Sequence, residues 1–168
     1  MARCVVTVGT TAFTPLINAA LSSAVLSQLL RLGISELFVQ HGQSPLPALS
    51  PPSGLRIQTA NFTNDIEAIV AESTLVISHA GAGTIISALR SPRPPTLVLV
   101  PNPALMDAHQ SELAGALSDR GWAFTCSCDE LESTLAGLQS LQRDSNNVPA
   151  YDPEKIKTIV GRAAGLHP

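Results

Sequence analysis

Leu75-Val76-Ile77-Ser78-His79-Ala80-Gly81-Ala82-Gly83-Thr84-Ile85-Ile86-Ser87-Ala88-Leu89 passes from an apolar strand pattern, through two glycines, into a helical pattern. The change of period predicts a strand, a tight turn and a helix opening at about Gly83 or Thr84. Glycines let backbone N–H groups approach a bound group closely. The unpaired N–H groups of a helix start carry a partial positive charge. Together they make an anion site, with a phosphate or diphosphate as the favoured guest.

Outward from this turn, strand and helix alternate. Strands are predicted at Cys4 to Val8, Ile34 to Gln40, Leu55 to Thr59, Leu75 to Ser78, Thr96 to Val100 and Trp122 to Cys126. Between them, helical spacing is read over Pro15 to Leu32, Thr63 to Ala71, Thr84 to Arg90, Asp107 to Arg120 and Asp129 to Leu141. Pro15 suits a first helical turn, and Gly33 and Gly121 suit helix stops. Gln43 to Gly54 holds Pro45, Pro47, Pro51 and Pro52, so it reads as a surface loop and the most mobile stretch. After a polar stretch, Asp152 and Pro153 offer a cap and a first helical position, and Ile156, Ile159, Val160 and Ala163 share one face.

This alternation predicts an α/β fold with a doubly wound, mostly parallel sheet of Rossmann type. Ligands of such sheets sit outside the carboxyl ends of the strands. By that rule Gly9-Thr10-Thr11, His79 to Thr84 and Asn102 to Gln110 face one crevice. Residues 1–150 form the binding domain. Residues 151–168 form a terminal helix whose apolar face is covered either by a partner or by the chain itself.

Composition narrows the function. With 168 residues, 45% hydrophobic and 14% charged, the chain is of one-domain size and too apolar for disorder. No apolar run reaches the roughly 20 residues that span a bilayer, and no signal-peptide pattern opens the chain, so the expectation is cytosolic. A net charge of −3 and few aromatic residues argue against nucleic acid. The three cysteines, Cys4, Cys126 and Cys128, have neither disulfide-framework nor zinc-finger spacing. They read as small buried hydrophobes, and no metal is expected.

Gly81-x-Gly83 starts like a dinucleotide fingerprint, yet no third small residue follows and no acidic residue ends the next strand. There is no Gly-Lys-Ser/Thr of the Walker type either. What the stretch resembles is the donor site of nucleotide-sugar glycosyltransferases of GT-B architecture: His79-x-Gly81 with Thr84, a Pro-rich turn at Pro92 to Pro95, the apolar strand from Thr96, then Asp107-Ala108-His109-Gln110. More narrowly, Val76 to Gly81 followed by Leu105 to Ala114 resembles the soluble catalytic subunits of the eukaryotic UDP-N-acetylglucosamine transferase. Val6 to Thr11, Phe13 and Phe38-Val39-Gln40-His41-Gly42 are similar to that family as well.

The resemblance implies a single C-terminal-type GT-B half domain. It implies the catalytic subunit of a heteromeric hexosyltransferase, active only with a membrane subunit, that moves GlcNAc from UDP-GlcNAc to GlcNAc-diphosphate-dolichol in N-glycan precursor assembly. UDP-GlcNAc is then a substrate, and no cofactor is implied. Gly9, Thr10, Thr11 and the turn with His79, Ala80, Gly81, Gly83 and Thr84 are implied to hold the diphosphate, while Asp107, His109 and Gln110 approach the sugar. His79 and His109 are the candidate catalytic residues, with a group on a partner as the alternative general base.

A half domain also implies a membrane-anchored, acceptor-binding subunit that recruits the chain to the cytosolic face of the endoplasmic reticulum. One position departs from the family pattern: Ser87 stands where an acidic residue usually grips the ribose. That departure keeps a non-catalytic, nucleotide-sugar-binding regulatory or scaffold subunit as the alternative. Plainer roles also stand for single residues: Thr84 and Asp107 as helix caps, His79 as a capping histidine, Glu112 as a solvated side chain, and His41 and His167 as loop and terminal histidines.

Overall fold

In the computed structural model, residues 2–104, 108–141 and 152–163 are described, without the side chains of 108, 109, 139–141, 155, 157, 162 and 163. Asp107 and His167 therefore lie outside the described residues, as does the His109 side chain. The strands are β1 (Ala2–Thr7), β2 (Ile34–Gln40), β3 (Arg56–Ala60), β4 (Leu75–Ser78), β5 (Thr96–Leu99) and β6 (Phe124–Thr125). The helices are α1 (Thr14–Ala20), α2 (Ser23–Arg31), α3 (Ile66–Ala71), α4 (Ala82–Arg90), α5 (Ala108–Ser118), α6 (Leu131–Leu141) and α7 (Pro153–Ala163).

All six strands pair in parallel in one sheet of order β3-β2-β1-β4-β5-β6. Because successive strand side chains point to opposite faces, β1 feeds two cores. Cys4, Val6 and Val8 pack under Leu16 and Ile17 of α1, Leu26 and Leu29 of α2, and Leu131 and Leu135 of α6. Val5 joins Val70 of α3, Ile85 and Leu89 of α4, Leu113 and Leu117 of α5, and Ile156 and Ile159 of α7. The expected doubly wound sheet is thus present, with helices on both faces.

The single helix expected over Pro15 to Leu32 is two. Ser22 is extended, with φ −66° and ψ 149°, and its side chain accepts a hydrogen bond from the Val25 N–H at 3.3 Å. A serine that caps a new helix competes with continuation of the old one. Helical spacing of the apolar residues on either side hides such a break.

The apolar face of α7 is buried within the chain: Ile156 and Ile159 lie in the core shared with α5. Of the two ways left open for covering that face, the chain itself provides one. No helix among the described residues is long and apolar enough to cross a membrane.

Candidate functional site

The strand order reverses at β1, which is flanked by β2 on one side and β4 on the other. The connections leaving β1 and β4 therefore diverge to opposite faces and open a crevice at their carboxyl ends. The β1 connection is Val8 to Phe13, and the β4 connection is His79 to Gly81.

The two connections touch. A side chain placed on Gly9 would lie 3.1 Å from Cε1 of His79, and one on Gly81 would lie 2.7 Å from both Cε1 and Nε2. The His79 imidazole thus fills a slot between two residues that have no Cβ. Its Nδ1 is 3.2 Å from the Thr7 carbonyl oxygen. A carbonyl only accepts, so Nδ1 carries the proton and Nε2 keeps its lone pair. Burial lowers the pKa of the ring from its ordinary value, and the Thr7 hydrogen bond offsets part of that. Near neutral pH the free chain holds a neutral imidazole.

The helix opens earlier than the sequence suggests. Gly81, with φ −66° and ψ 129°, is the N-cap, and α4 starts at Ala82. The cap residue is a glycine and has no side chain of its own to close this end. Thr84 is therefore in the first turn and does not serve as the cap. The N–H groups of Ala82, Gly83 and Thr84 precede the first intrahelical bond and face outward from the sheet's carboxyl edge. Ala80 between them and the strand has φ +67° while being buried, which costs a residue with a Cβ about 1–2 kcal/mol.

Added to Gly83, a Cβ meets nothing within 4 Å, so this glycine has no packing reason inside the chain. Gly83→Ala should raise stability by about 0.5–1 kcal/mol through helix propensity, seen as a higher urea midpoint. A lowered midpoint would contradict the open space beside it.

Gly9, Thr10, Thr11, His79, Ala80 and Gly81 lie on the two connections that border the crevice, and Gly83 and Thr84 lie in the first turn of α4 beside them. Thr10 is exposed, and Thr11 turns its hydroxyl back to the Val8 carbonyl at 3.0 Å. His109 and Gln110 stand in the first turn of α5, at the same edge of the sheet. Gln110 has a buried Oε1 without a hydrogen-bond partner among the described residues. Ser87 donates its hydroxyl to the Gly83 carbonyl at 2.9 Å, so its proton is engaged within α4.

Beside the crevice, a cavity of about 650 Å³ runs between Phe13 and Pro15, Asn102 and Pro103, and Cys126 and Cys128. Burial pushes both of these thiols up from their ordinary pKa, as it does that of Cys4, and all three cysteines are free. Among the described residues no group of three or more His, Cys, Asp or Glu is placed to hold a metal ion.

Thr7 and Gln40 entered the sequence reading only as part of the family resemblance, without a role, and Ser44 not at all; all three are buried at this edge of the sheet. That reading also treated His41 as a plain loop residue, whereas its buried ring has Nδ1 2.7 Å from the Ser44 carbonyl oxygen. Thr7 and Gln40 carried one signal, polarity at the last positions of apolar strands, while His41 and Ser44 lie in the loop beyond β2 and carried none.

Residues 3–158 match the family model of the glycosyltransferase family 28 C-terminal domain. A protein of Cryptococcus neoformans named UDP-N-acetylglucosamine transferase subunit ALG13 is 36% identical over 159 aligned residues, covering 77% of this chain and 80% of that one. The human protein of the same name is 35% identical over 128 residues, 75% of this chain and 11% of the human one. A solution NMR structure of ALG13 superposes with a TM-score of 0.66 at 23% identity, covering 97% of this chain and 96% of that one. The crystal structure of Acinetobacter baumannii MurG gives 0.66 at 23% identity, with 97% and 49% covered. At these identities the structural likeness carries the fold alone.

Proposed function

The chain belongs to the glycosyltransferase family 28 C-terminal domains and, among them, to the UDP-N-acetylglucosamine transferase subunits, and from that premise we propose that it binds UDP-GlcNAc and supplies the donor half of a two-subunit transferase. The observation that carries this reading is the start of α4, whose cap residue is a glycine, joined to the turn from β4 at the point where the strand order reverses. Such an end stabilises an anion before any side chain is counted.

In the proposed reaction a hydroxyl oxygen of GlcNAc-diphosphate-dolichol attacks the anomeric carbon of the donor sugar. The bond from that carbon to the diphosphate breaks, UDP leaves with the electron pair, and the hydroxyl proton passes to a base. Attack opposite the leaving group inverts the anomeric centre. Charge develops on the departing diphosphate, and N–H groups already aimed at it stabilise the transition state. The base is His79 through Nε2, His109, or a group on the partner.

The acceptor reaches the crevice from the side that this chain leaves open. We therefore place a membrane-anchored subunit over the carboxyl edge of the sheet, at the cytosolic face of the endoplasmic reticulum. Asp107, His109 and Gln110 are proposed to face the donor sugar, where amide, imidazole and carboxylate suit hydroxyl groups.

Ser87 favours the second reading, a subunit that binds the nucleotide sugar without turnover. A hydroxyl whose proton is engaged offers the ribose only acceptor lone pairs, in place of the two-oxygen grip of a carboxylate. One experiment separates the readings. The tagged chain is recovered from membranes with its companion, and transfer of labelled GlcNAc to a lipid-linked acceptor is measured with and without each component. Transfer that requires both components is the expected result. Transfer by the companion alone leaves this chain as a scaffold, and UDP-GlcNAc that fails to bind either way ends the donor-site reading.

A further inference from the structure

We infer that the turn Gln40 to Ser44 is a positioning element of the donor site: it clamps the Gly9 to Phe13 turn at its two ends, in the shape that presents the N–H groups between them, those of Thr10 to Ala12, to the diphosphate. The inference rests on the donor-site reading above.

Three independent contacts make the clamp. The first is a buried relay at the last rung of the sheet, where Thr7 stands in register with Gln40. The Thr7 hydroxyl donates to Oε1 of Gln40 at 2.6 Å and accepts the Gly9 N–H at 3.1 Å. Because Gln40 takes the hydroxyl proton, the lone pair of Thr7 is turned toward Gly9. The Thr7 carbonyl meanwhile holds the His79 ring. One residue thus ties both walls of the crevice.

The second contact is steric. Gly42 has φ +57°, and a Cβ there would collide with the Thr11 carbonyl oxygen and lie 3.0 Å from that of Gly9. The backbone of the second turn presses directly on the first, which only glycine permits. Next to it, Gln43 N–H donates to the Thr11 carbonyl at 3.2 Å, while Gly42 N–H is anchored on Asn61 at 3.1 Å.

The third contact closes the far end. The Ser44 hydroxyl accepts the Phe13 N–H at 2.7 Å, and Ser44 is itself held by His41 through its carbonyl and its N–H. Gln40, His41 and Ser44 are 3%, 8% and 2% exposed, so these bonds form away from competing water.

The test uses Thr7→Val, which keeps the shape and removes the hydroxyl, Thr7→Ser, which restores it, and Ser44→Ala at the other end. UDP is titrated into each full chain by calorimetry at a temperature where thermal melts show it folded. Loss of one buried bond predicts a Kd about five- to tenfold higher for Thr7→Val and Ser44→Ala, with Thr7→Ser close to the parent. Parent-like binding by both deletion variants, or a Thr7→Ser chain as weak as Thr7→Val, overturns the inference. A parent chain that does not bind UDP removes the donor-site reading instead. Amide exchange at Gly9 and Phe13 then decides the clamp: faster exchange in the variants retains it, and unchanged exchange overturns it. If Thr7→Val does not fold, Ser44→Ala carries both readouts.

Discussion

Gly81→Ala is expected to weaken UDP binding at least about tenfold and to destabilise the fold by about 1–3 kcal/mol, the usual range for forcing an extra carbon into a packed site. Backbone conformation is not the obstacle, since φ −66° and ψ 129° suit alanine as well as glycine. The added carbon would stand 2.7 Å from Cε1 and Nε2 of His79, inside contact distance. The ring has little room to withdraw, because its Nδ1 is held by Thr7 and its other side faces Gly9 at 3.1 Å from where a Cβ would be. Either His79 leaves its slot or the turn shifts, and with the turn move the N–H groups at the start of α4. A double-mutant cycle isolates the cause. In a His79→Ala background the collision disappears, so Gly81→Ala should cost little there, and the coupling should approach the whole single-mutant loss. Urea denaturation of the four chains reads it. Additive losses would show that Gly81 matters for some reason other than the imidazole.

The contrast with Gly83 explains what was legible in the sequence. Both glycines are apparent in the string His79-Ala80-Gly81-Ala82-Gly83-Thr84, and strand-turn-helix follows from the change of period around them. Which of the two makes room for a side chain seventy-odd positions from its contact on Thr7 is a tertiary fact. The alternation of apolar segments likewise foretold the sheet, because parallel strands buried on both faces read as continuous apolar runs. It did not reveal Ser22, where a capping serine interrupts a helix without disturbing the apolar spacing. Nor did it reveal the polar rung of Gln40 and Thr7, since the pairing depends on register between strands thirty-three positions apart. His79 itself was visible, but its protonation was not: burial and the Thr7 carbonyl set it, and both belong to the folded chain.

Binding of UDP at neutral pH should draw about one proton from solution, and the affinity should fall as pH rises from about 7 to 9, by up to about a decade per unit. The cause is the state of His79 before and after the ligand arrives. In the free chain burial lowers its pKa below the ordinary 6.5, so the ring is neutral and Nε2 is a lone pair. A lone pair facing a diphosphate is repulsive, whereas an imidazolium donates to it, and two anionic phosphates raise the pKa of the ring. Binding is then tightest where the proton is cheapest to add, on the acid side. Calorimetry in buffers of different ionisation enthalpy measures the uptake directly, and His79→Gln should abolish both the uptake and the slope. Folding of the free chain carries the opposite sign. Between the lowered native pKa and 6.5 the unfolded chain binds more protons, so the contribution of His79 to stability is present above 6.5 and is lost as pH falls through the native value. A different result assigns a different role: no proton uptake on binding, with turnover that rises through the lowered pKa, makes Nε2 the acceptor of the hydroxyl proton and leaves the diphosphate to backbone N–H groups alone.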